Sequence, residues 1–186
     1  MLSAVGDLLT ERRTEVRLVV VGGAAMNLLE YVRRATDDVD VIALGRSRRS
    51  RGPVSLIRPE PLPPELLEAV RRVAKDFGLP ETWLNAGPAS QWDTGLPPGI
   101  ERRLHWRQFG GLHVGLADRY DLIFLKLYAA ADDTGPRSVH YQDLLSLAPT
   151  EAELSSAADW VGAEDPSPGF AGSLQKVLEH VRRDQA

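Results

Sequence analysis

The alternation of hydrophobic and polar residues predicts an α/β first half of the chain and a mainly helical second half. Apolar residues recur at helical spacing over residues 2–14, whereas Leu18–Val21 form a continuous apolar run that is typical of a buried strand. Two glycines end this run, and a helix with an apolar face is predicted to follow over residues 24–34. A second buried strand is predicted over residues 38–44.

The rest of the chain follows the same two periodicities. Residues 63–78 predict a helix, and a short strand is expected around Thr82–Leu84. Residues 86–101 are rich in Gly, Pro, Ser and Thr and predict a long loop, and residues 105–117 predict a hairpin that turns at Gly110–Gly111. Four more helices are predicted, over residues 118–133 with Asp118 as N-cap, 138–148, 150–162 and 170–183.

Composition narrows the class of protein. The 186 residues are 43% hydrophobic and 26% charged, which predicts an ordinary globular core, divided here into an α/β core over residues 1–116 and a helical part over residues 117–186. The sequence contains no cysteine, which excludes disulfides, thiolate metal sites and cysteine nucleophiles. The net charge of −4 argues against a basic coat for nucleic acid. Because no apolar run is long enough to span a bilayer, we expect a cytoplasmic protein with no membrane partner.

Three aspartates lie directly before the second predicted strand. Asp37, Asp38 and Asp40 would repel one another, so a neighbouring cation is expected to relieve the repulsion. Residues two apart in a strand lie on the same face, which places Asp38 and Asp40 together. Gly22 and Gly23 precede a predicted helix start, where exposed amide groups can hold an anion. The pair of carboxylates therefore predicts an Mg²⁺ site beside a triphosphate.

A simpler alternative is that the aspartates form ion pairs with an arginine. The partners near enough in sequence to form such ion pairs are Arg33, Arg34 and Arg46. An Asp-x-Asp pair alone is weak support for a metal site. The order strand, Gly-Gly, helix, Arg-x-Thr-x-Asp-x-Asp, strand is a far more specific pattern than the pair alone.

Two segments carry a resemblance to a known family. The stretch VVVGGAAMNLLEYVRRATDDVDVIAL resembles the opening of the minimal nucleotidyltransferases of the polymerase-β superfamily, in the branch found in toxin–antitoxin and abortive-infection systems. The matching positions are Gly22, Gly23, Ala25, Arg34, Thr36, Asp38 and Asp40. A later stretch, LADRYDLIFLKLYAAADD followed by SVHYQDLLSL, is similar to that branch's second motif at Lys126 and Asp143, and the likeness covers roughly residues 15–148.

The resemblance implies a fold and an activity. The fold would be a small mixed β-sheet flanked by helices, completed by a helical C-terminal part. The activity would be Mg²⁺-dependent (or Mn²⁺-dependent) transfer of a nucleoside monophosphate from a nucleoside triphosphate to a hydroxyl of RNA, such as tRNA, or of a protein. A toxin role would imply an antitoxin partner.

The resemblance also assigns roles to residues of this chain. Asp38 and Asp40 would be catalytic and hold the metal, and Lys126 and Asp143 would be catalytic from the helical part. Nucleotide binding would fall to Gly22, Gly23, Arg34, Thr36 and Lys126. The Gly-Gly turn would hold the β- and γ-phosphates, Lys126 would reach a phosphate as a point charge, and Asp143 would complete the site or act as base.

The sequence departs from the family pattern at two positions. Many members have Ser where this chain has Gly23, and many carry a third metal carboxylate where this chain has Asn85. Asp93 could substitute from the loop. The alternative function is therefore a catalytically degenerate nucleotide- or RNA-binding module, or an interaction protein, on the same fold.

A basic loop follows the Asp-x-Asp strand. Arg46, Arg48, Arg49 and Arg51 form either a solvated loop or a surface that captures RNA or triphosphate. Trp92 is the tryptophan best placed, in a Gly- and Pro-rich segment, to stack on a base.

Overall fold

The chain folds into two compact units, Met1–Ala117 and a second that begins at Asp118. The structure, a computed structural model, describes residues 1–36, 38–46, 54–133 and 135–185, with the side chains of residues 93 and 136 excepted. No helix in these ranges is long and apolar enough to cross a membrane.

The first unit is built on a six-stranded mixed sheet. Its strands are β1 (Val16–Val21), β2 (Val39–Arg46), β3 (Ser55–Ile57), β4 (Leu84–Asn85), β5 (His105–Phe109) and β6 (Leu112–Leu116). The order across the sheet is β3-β2-β1-β6-β5, with β4 paired to β2. The β1/β6 and β2/β4 pairs are parallel and the others antiparallel. This arrangement confirms the expected mixed sheet flanked by helices.

The helices of the first unit cover the sheet with apolar stripes. They are α1 (Leu2–Glu11), α2 (Gly22–Leu28), α3 (Pro64–Phe77), α4 (Ser90–Thr94) and α5 (Ile100–Arg103). Helix α1 packs against α3 and β6. Val5 and Leu9 on α1 and Leu66, Val70 and Val73 on α3 are buried at helical spacing, which places both helices on the core.

Three element predictions were wrong in extent. The helix predicted over residues 24–34 is only α2, which ends at Leu28, and Glu30 then takes a left-handed φ of 65°. Residues 86–101 are not a plain loop, because they contain a 3₁₀ turn together with α4 and α5. The short strand lies at Leu84–Asn85, so it starts two residues and ends one residue later than predicted, and β3 was not predicted. The hairpin turning at Gly110–Gly111 is confirmed.

The second unit is a helical cluster around one central helix. It contains α6 (Arg119–Asp132), α7 (Val139–Ser146), α8 (Glu151–Glu164) and α9 (Pro168–Asp184), and the last three all pack on α6. Asp118 caps α6 as predicted, since its side chain accepts a hydrogen bond from the amide of Tyr120. Phe124 and Tyr128 on α6 stack against Trp160 and Phe170, which joins α8 and α9 to it.

Arg119 ties the beginning of α6 to the ends of two other helices. Its guanidinium donates to the carbonyls of Leu147 and Ala148, each at 2.8 Å, and to Glu153 at 2.6 Å. Glu153 also accepts from the amide of Thr150, in a capping box that starts α8. The bonds from Arg119, with help from Thr150, lower the pKa of the Glu153 carboxyl from 4.5 to about 2.

Replacing Glu153 with Gln should remove an acid-sensitive part of the stability. The folded pKa lies below the unfolded one, so the stabilisation is complete above about pH 4.5 and is lost as the pH falls towards about 2. We expect Glu153→Gln to lower the free energy of unfolding by about 2 kcal/mol at neutral pH and by progressively less below about pH 4.5. Urea unfolding of both proteins across this range tests it; a difference that does not shrink on acidification would contradict it.

Candidate active site

Asp40 stands at the centre of the candidate site because of its position in β2. Its strand register pairs it with Val21 at the end of β1 on one side and with Asn85 of β4 on the other. Its carboxylate lies against the turn that follows β1, since a Cβ added to Gly22 would come within 2.5 Å of Asp40 Oδ2. Gly22 also has a φ of +68°, a conformation that side chains disfavour. Both constraints explain a glycine at this corner.

The segment before β2 folds back onto the same corner. A Cβ on Gly23 would lie 3.0 Å from Thr36 Oγ1 and 3.2 Å from an Nη of Arg34. Asn27 holds this return by donating to the carbonyl of Arg34 at 2.7 Å. The structure therefore brings Gly22, Gly23, Arg34, Thr36 and Asp40 together at one corner, and their role in nucleotide binding and catalysis stays a prediction.

Asp38 lies just before β2 and faces an open cleft. The side chain is exposed, and the cleft has a volume of about 750 Å³. The hydroxyl of Thr36 donates to the main-chain carbonyl of Asp38 at 3.2 Å, which links Asp38 to the glycine corner. Polar and charged residues lining the cleft besides Asp38 are Arg58, Glu60, Thr82, Asn85 and Ser90.

Asn85 occupies the strand position next to Asp40, but its amide serves a local turn. Oδ1 accepts from the amide of Gly87 at 2.6 Å, and Nδ2 donates weakly to the carbonyl of Thr82 at 3.4 Å. Within the described residues, no group of three or more His, Cys, Asp or Glu side chains is arranged to hold a metal. The Asp93 side chain, suggested as a replacement carboxylate, lies outside the described part.

Lys126 and Asp143 meet each other in the second unit. Lys126 Nζ donates to Asp143 Oδ2 at 2.6 Å, with both residues buried at 5% and 2% exposure. His140 Nδ1 lies 3.5 Å from the same ammonium. The pair is thus a buried ion pair between α6 and α7, and its assignment to nucleotide binding and catalysis stays a prediction.

The remaining candidates lie away from Asp40 or outside the described residues. Arg46 ends β2 and is exposed, whereas Arg48, Arg49, Arg51 and Asp37 lie outside the described residues. No motif in the sequence pointed to the cleft residues Arg58, Glu60, Thr82 and Ser90, because only the tertiary fold brings them together.

Substituting Ala for Gly22 should both strain the corner and displace Asp40. The left-handed φ costs a side chain about 1–2 kcal/mol, and the added Cβ would contact the carboxylate. We expect a loss of about that size in the free energy of unfolding, together with weaker Mg²⁺–nucleotide binding. Gly78→Ala provides the control, since Gly78 has a similar φ of +65° but nothing within 4 Å of its Cβ position. Equal nucleotide binding by the two variants would contradict the role of the corner.

Comparison with known proteins identifies a family for the chain. No curated protein and no solved structure matched the chain. A family model described as a nucleotidyltransferase of unknown function (DUF6036) matches residues 2–147, a span that includes the glycine corner, both strand aspartates and the α6–α7 pair. The chain therefore belongs to this family of nucleotidyltransferases of unknown function.

Proposed function

We propose that the protein transfers a nucleoside monophosphate from a nucleoside triphosphate to a hydroxyl acceptor, with Mg²⁺ or Mn²⁺ as cofactor. The observation that carries this proposal is the contact between the Asp40 carboxylate and the Gly22 turn, with Arg34 and Thr36 gathered at Gly23. The corner combines a carboxylate, a guanidinium and a backbone without side chains. This combination suits a metal-bound polyphosphate better than it suits a simple ion pair at the surface.

The donor set fits a hard divalent cation. Asp38 and Asp40 would hold the ion, and the lack of a side chain at Gly22 lets the Asp40 carboxylate lie against the turn where the phosphates would bind. Mg²⁺ commonly takes one or two carboxylates and completes its shell with water and phosphate oxygens, so a third carboxylate is not essential. When bound, the ion would neutralise charge on the phosphates during displacement.

The chain's own residues would bind and orient the nucleotide. The Arg34 guanidinium would pair with a phosphate, and the small Gly22–Gly23 corner would let the phosphates approach the backbone. Thr36 would hold the segment before β2 in place through its hydrogen bond to the Asp38 carbonyl. Phosphoryl transfer needs mainly positioning and charge neutralisation, which these groups can supply.

The acceptor and the biological setting follow from the resemblance alone. It favours a hydroxyl of RNA, such as tRNA, or of a protein, and a toxin accompanied by an antitoxin partner. The resemblance also assigns Lys126 to nucleotide binding and, with Asp143, to catalysis, and both assignments belong to the same proposal.

A second candidate function is favoured by Asn85. Its amide is committed to the Gly87 turn and brings no charge next to Asp40, which suits a module that binds nucleotide without turnover. The two functions differ in one observable, because a degenerate module binds metal and nucleotide but transfers nothing.

The full chain, incubated with each nucleoside triphosphate labelled at the α-phosphate, tests the proposal. Equilibrium dialysis with Mg²⁺, with Mn²⁺ and with chelator measures binding, and label in cellular RNA or protein measures transfer. We expect metal-dependent binding and transfer. Binding without transfer would select the degenerate module, and a wild-type protein that binds no nucleotide with either ion would refute both.

Replacing Asn85 with Asp should strengthen metal binding. The new carboxylate can still accept from the Gly87 amide, and it adds a charge in register with Asp40. We expect the dissociation constant for Mn²⁺ to fall by about tenfold, the scale of one additional charged ligand. Asn85→Ser, which keeps an acceptor without the charge, is the control. Identical Mn²⁺ affinities in all three proteins would show that position 85 does not reach the ion.

A further inference from the structure

We propose that the cleft lined by Asp38 and Asn85 is the acceptor site, and that it takes a hydroxyl side chain of a protein segment with basic neighbours rather than a nucleic acid. This inference rests on the proposed nucleotidyl transfer. It goes further by assigning the acceptor's place and chemical class.

The strand order shows which groups lie on each side of Asp40. On the β1 side lie the Gly22–Gly23 corner and Arg34, the groups suited to a polyphosphate. On the β4 side lie Asn85 and the cleft. In-line displacement at phosphorus requires the attacking and leaving oxygens on opposite sides. A pyrophosphate that leaves towards the glycine corner therefore requires an acceptor that approaches from the β4 side, where the cleft opens.

The charges of the cleft argue against a polyanion. Among its described lining residues, the charged side chains are the carboxylates of Asp38 and Glu60 and the guanidinium of Arg58. Arg58 is 3.4 Å from Glu60, so its charge is directed at a carboxylate of the same cleft. Nucleic-acid sites instead gather several cations to replace counterions on the phosphates. A lining with an excess of one carboxylate favours a neutral or cationic acceptor.

The other lining groups suit a polypeptide. Thr82, Asn85 and Ser90 offer hydroxyl and amide groups for hydrogen bonds, and Pro80 adds apolar surface. Thr82 and Ser90 are exposed and therefore accessible to a ligand. A volume of about 750 Å³ accommodates a ligand of drug size, or a few peptide side chains, but not a nucleic-acid duplex.

The reaction at this site balances without a further reactant. The acceptor hydroxyl oxygen forms a bond to the α-phosphorus as the bond from that phosphorus to the β-phosphate oxygen breaks. Pyrophosphate leaves with the electron pair, and the hydroxyl proton passes to water at the open mouth of the cleft. The product is a phosphodiester between the acceptor side chain and the nucleoside.

Transfer to defined acceptors tests the proposal. The full chain is given Mg²⁺, labelled nucleoside triphosphate and one of three acceptors, namely peptides with Ser, Thr or Tyr flanked by Lys and Arg, the same peptides flanked by Asp and Glu, or total tRNA. We expect transfer to the basic peptides to exceed transfer to the acidic peptides and to tRNA by about tenfold or more.

Cationic substitutions in the cleft separate acceptor binding from nucleotide binding. Thr82→Lys and Ser90→Lys should each lower kcat/KM for basic peptides by about tenfold and leave the Kd for Mg²⁺–nucleotide unchanged. Ser155→Lys, at an exposed position of α8 in the other unit, is the matched control and should leave both unchanged.

The outcomes separate this inference from the proposed function. Transfer to tRNA but not to peptides, or peptide transfer that neither cleft substitution reduces, overturns the inference and leaves nucleotidyl transfer intact. Nucleotide binding without transfer to any of the three acceptors overturns the inference and selects the degenerate module. A wild-type protein that binds no nucleotide with metal overturns both.

Discussion

Asp40→Asn is expected to lower metal-dependent nucleotidyl transfer by at least about 100-fold while leaving the fold intact. The carboxylate lies against Gly22 at the end of β1, and the neutral amide is nearly the same size, so packing at the corner should persist. The lost negative charge is the one that would hold the cation beside the phosphates. Loss of a single preorganised charged contact of this kind commonly costs two to three orders of magnitude in rate.

Single-turnover label transfer measures the effect, with the Kd for Mn²⁺ measured in parallel. Asp159→Asn makes the same chemical change at an exposed site on α8 and should retain wild-type activity. Thermal unfolding of both variants checks that the fold is intact. If Asp40→Asn transfers at the rate of the control, Asp40 is no metal ligand, and the corner is only a structural contact.

The central part of this site could be predicted because its elements are close in sequence. Strand β1 ends at two glycines, and its register with β2 sets the Asp40 carboxylate against that turn, whereas Asp38 precedes β2 and lines the cleft. The glycine at position 22 also pointed to a tight corner. The structure explains it, because both the positive φ of Gly22 and the carboxylate beside it exclude a side chain. At this corner the local sequence pattern and the packing of the folded chain require the same residues.

The course of the chain between the two strands was not predictable from periodicity. Apolar residues at Leu29 and Val32 extend the helical pattern past Leu28, the true end of α2. The helix stops because the chain must return Arg34 and Thr36 to Gly23, and Asn27 holds that return through the Arg34 carbonyl. Such a long-range requirement overrides a weak local propensity and leaves no periodic trace in the sequence.

The cleft escaped prediction for a different reason. Its residues come from the segment that follows β3, from β4 and the turns on either side of it, and from the start of α4, together with Asp38 before β2, and each of these pieces is short. Elements of two to five residues contain too few apolar positions to establish a repeating pattern, so the Gly- and Pro-rich composition of this segment predicts a loop. Buried Ala89 and Ile100 anchor this segment to the core.

Lys126→Met should be the most destabilising single change in the second unit. The substitution leaves the Asp143 carboxylate, only 2% exposed, without the ammonium that lies 2.6 Å away. Removing one partner of a buried ion pair commonly costs about 3–5 kcal/mol, because the remaining charge has lost its solvation and its counterion. We expect a loss of that size in the free energy of unfolding, measured by urea titration, against little change for the exposed Lys176→Met.

The double variant Lys126→Met/Asp143→Leu distinguishes a role of the ion pair in stability from a role in nucleotidyl transfer. Replacing both charges with apolar groups removes the uncompensated carboxylate, so most of the lost stability should return. If the pair also contributes to nucleotide binding, as the resemblance implies, the stable double variant will still fail to transfer label. Restored stability with wild-type transfer would assign the ion pair to packing alone, and a double variant as unstable as Lys126→Met would contradict the electrostatic account of its destabilisation.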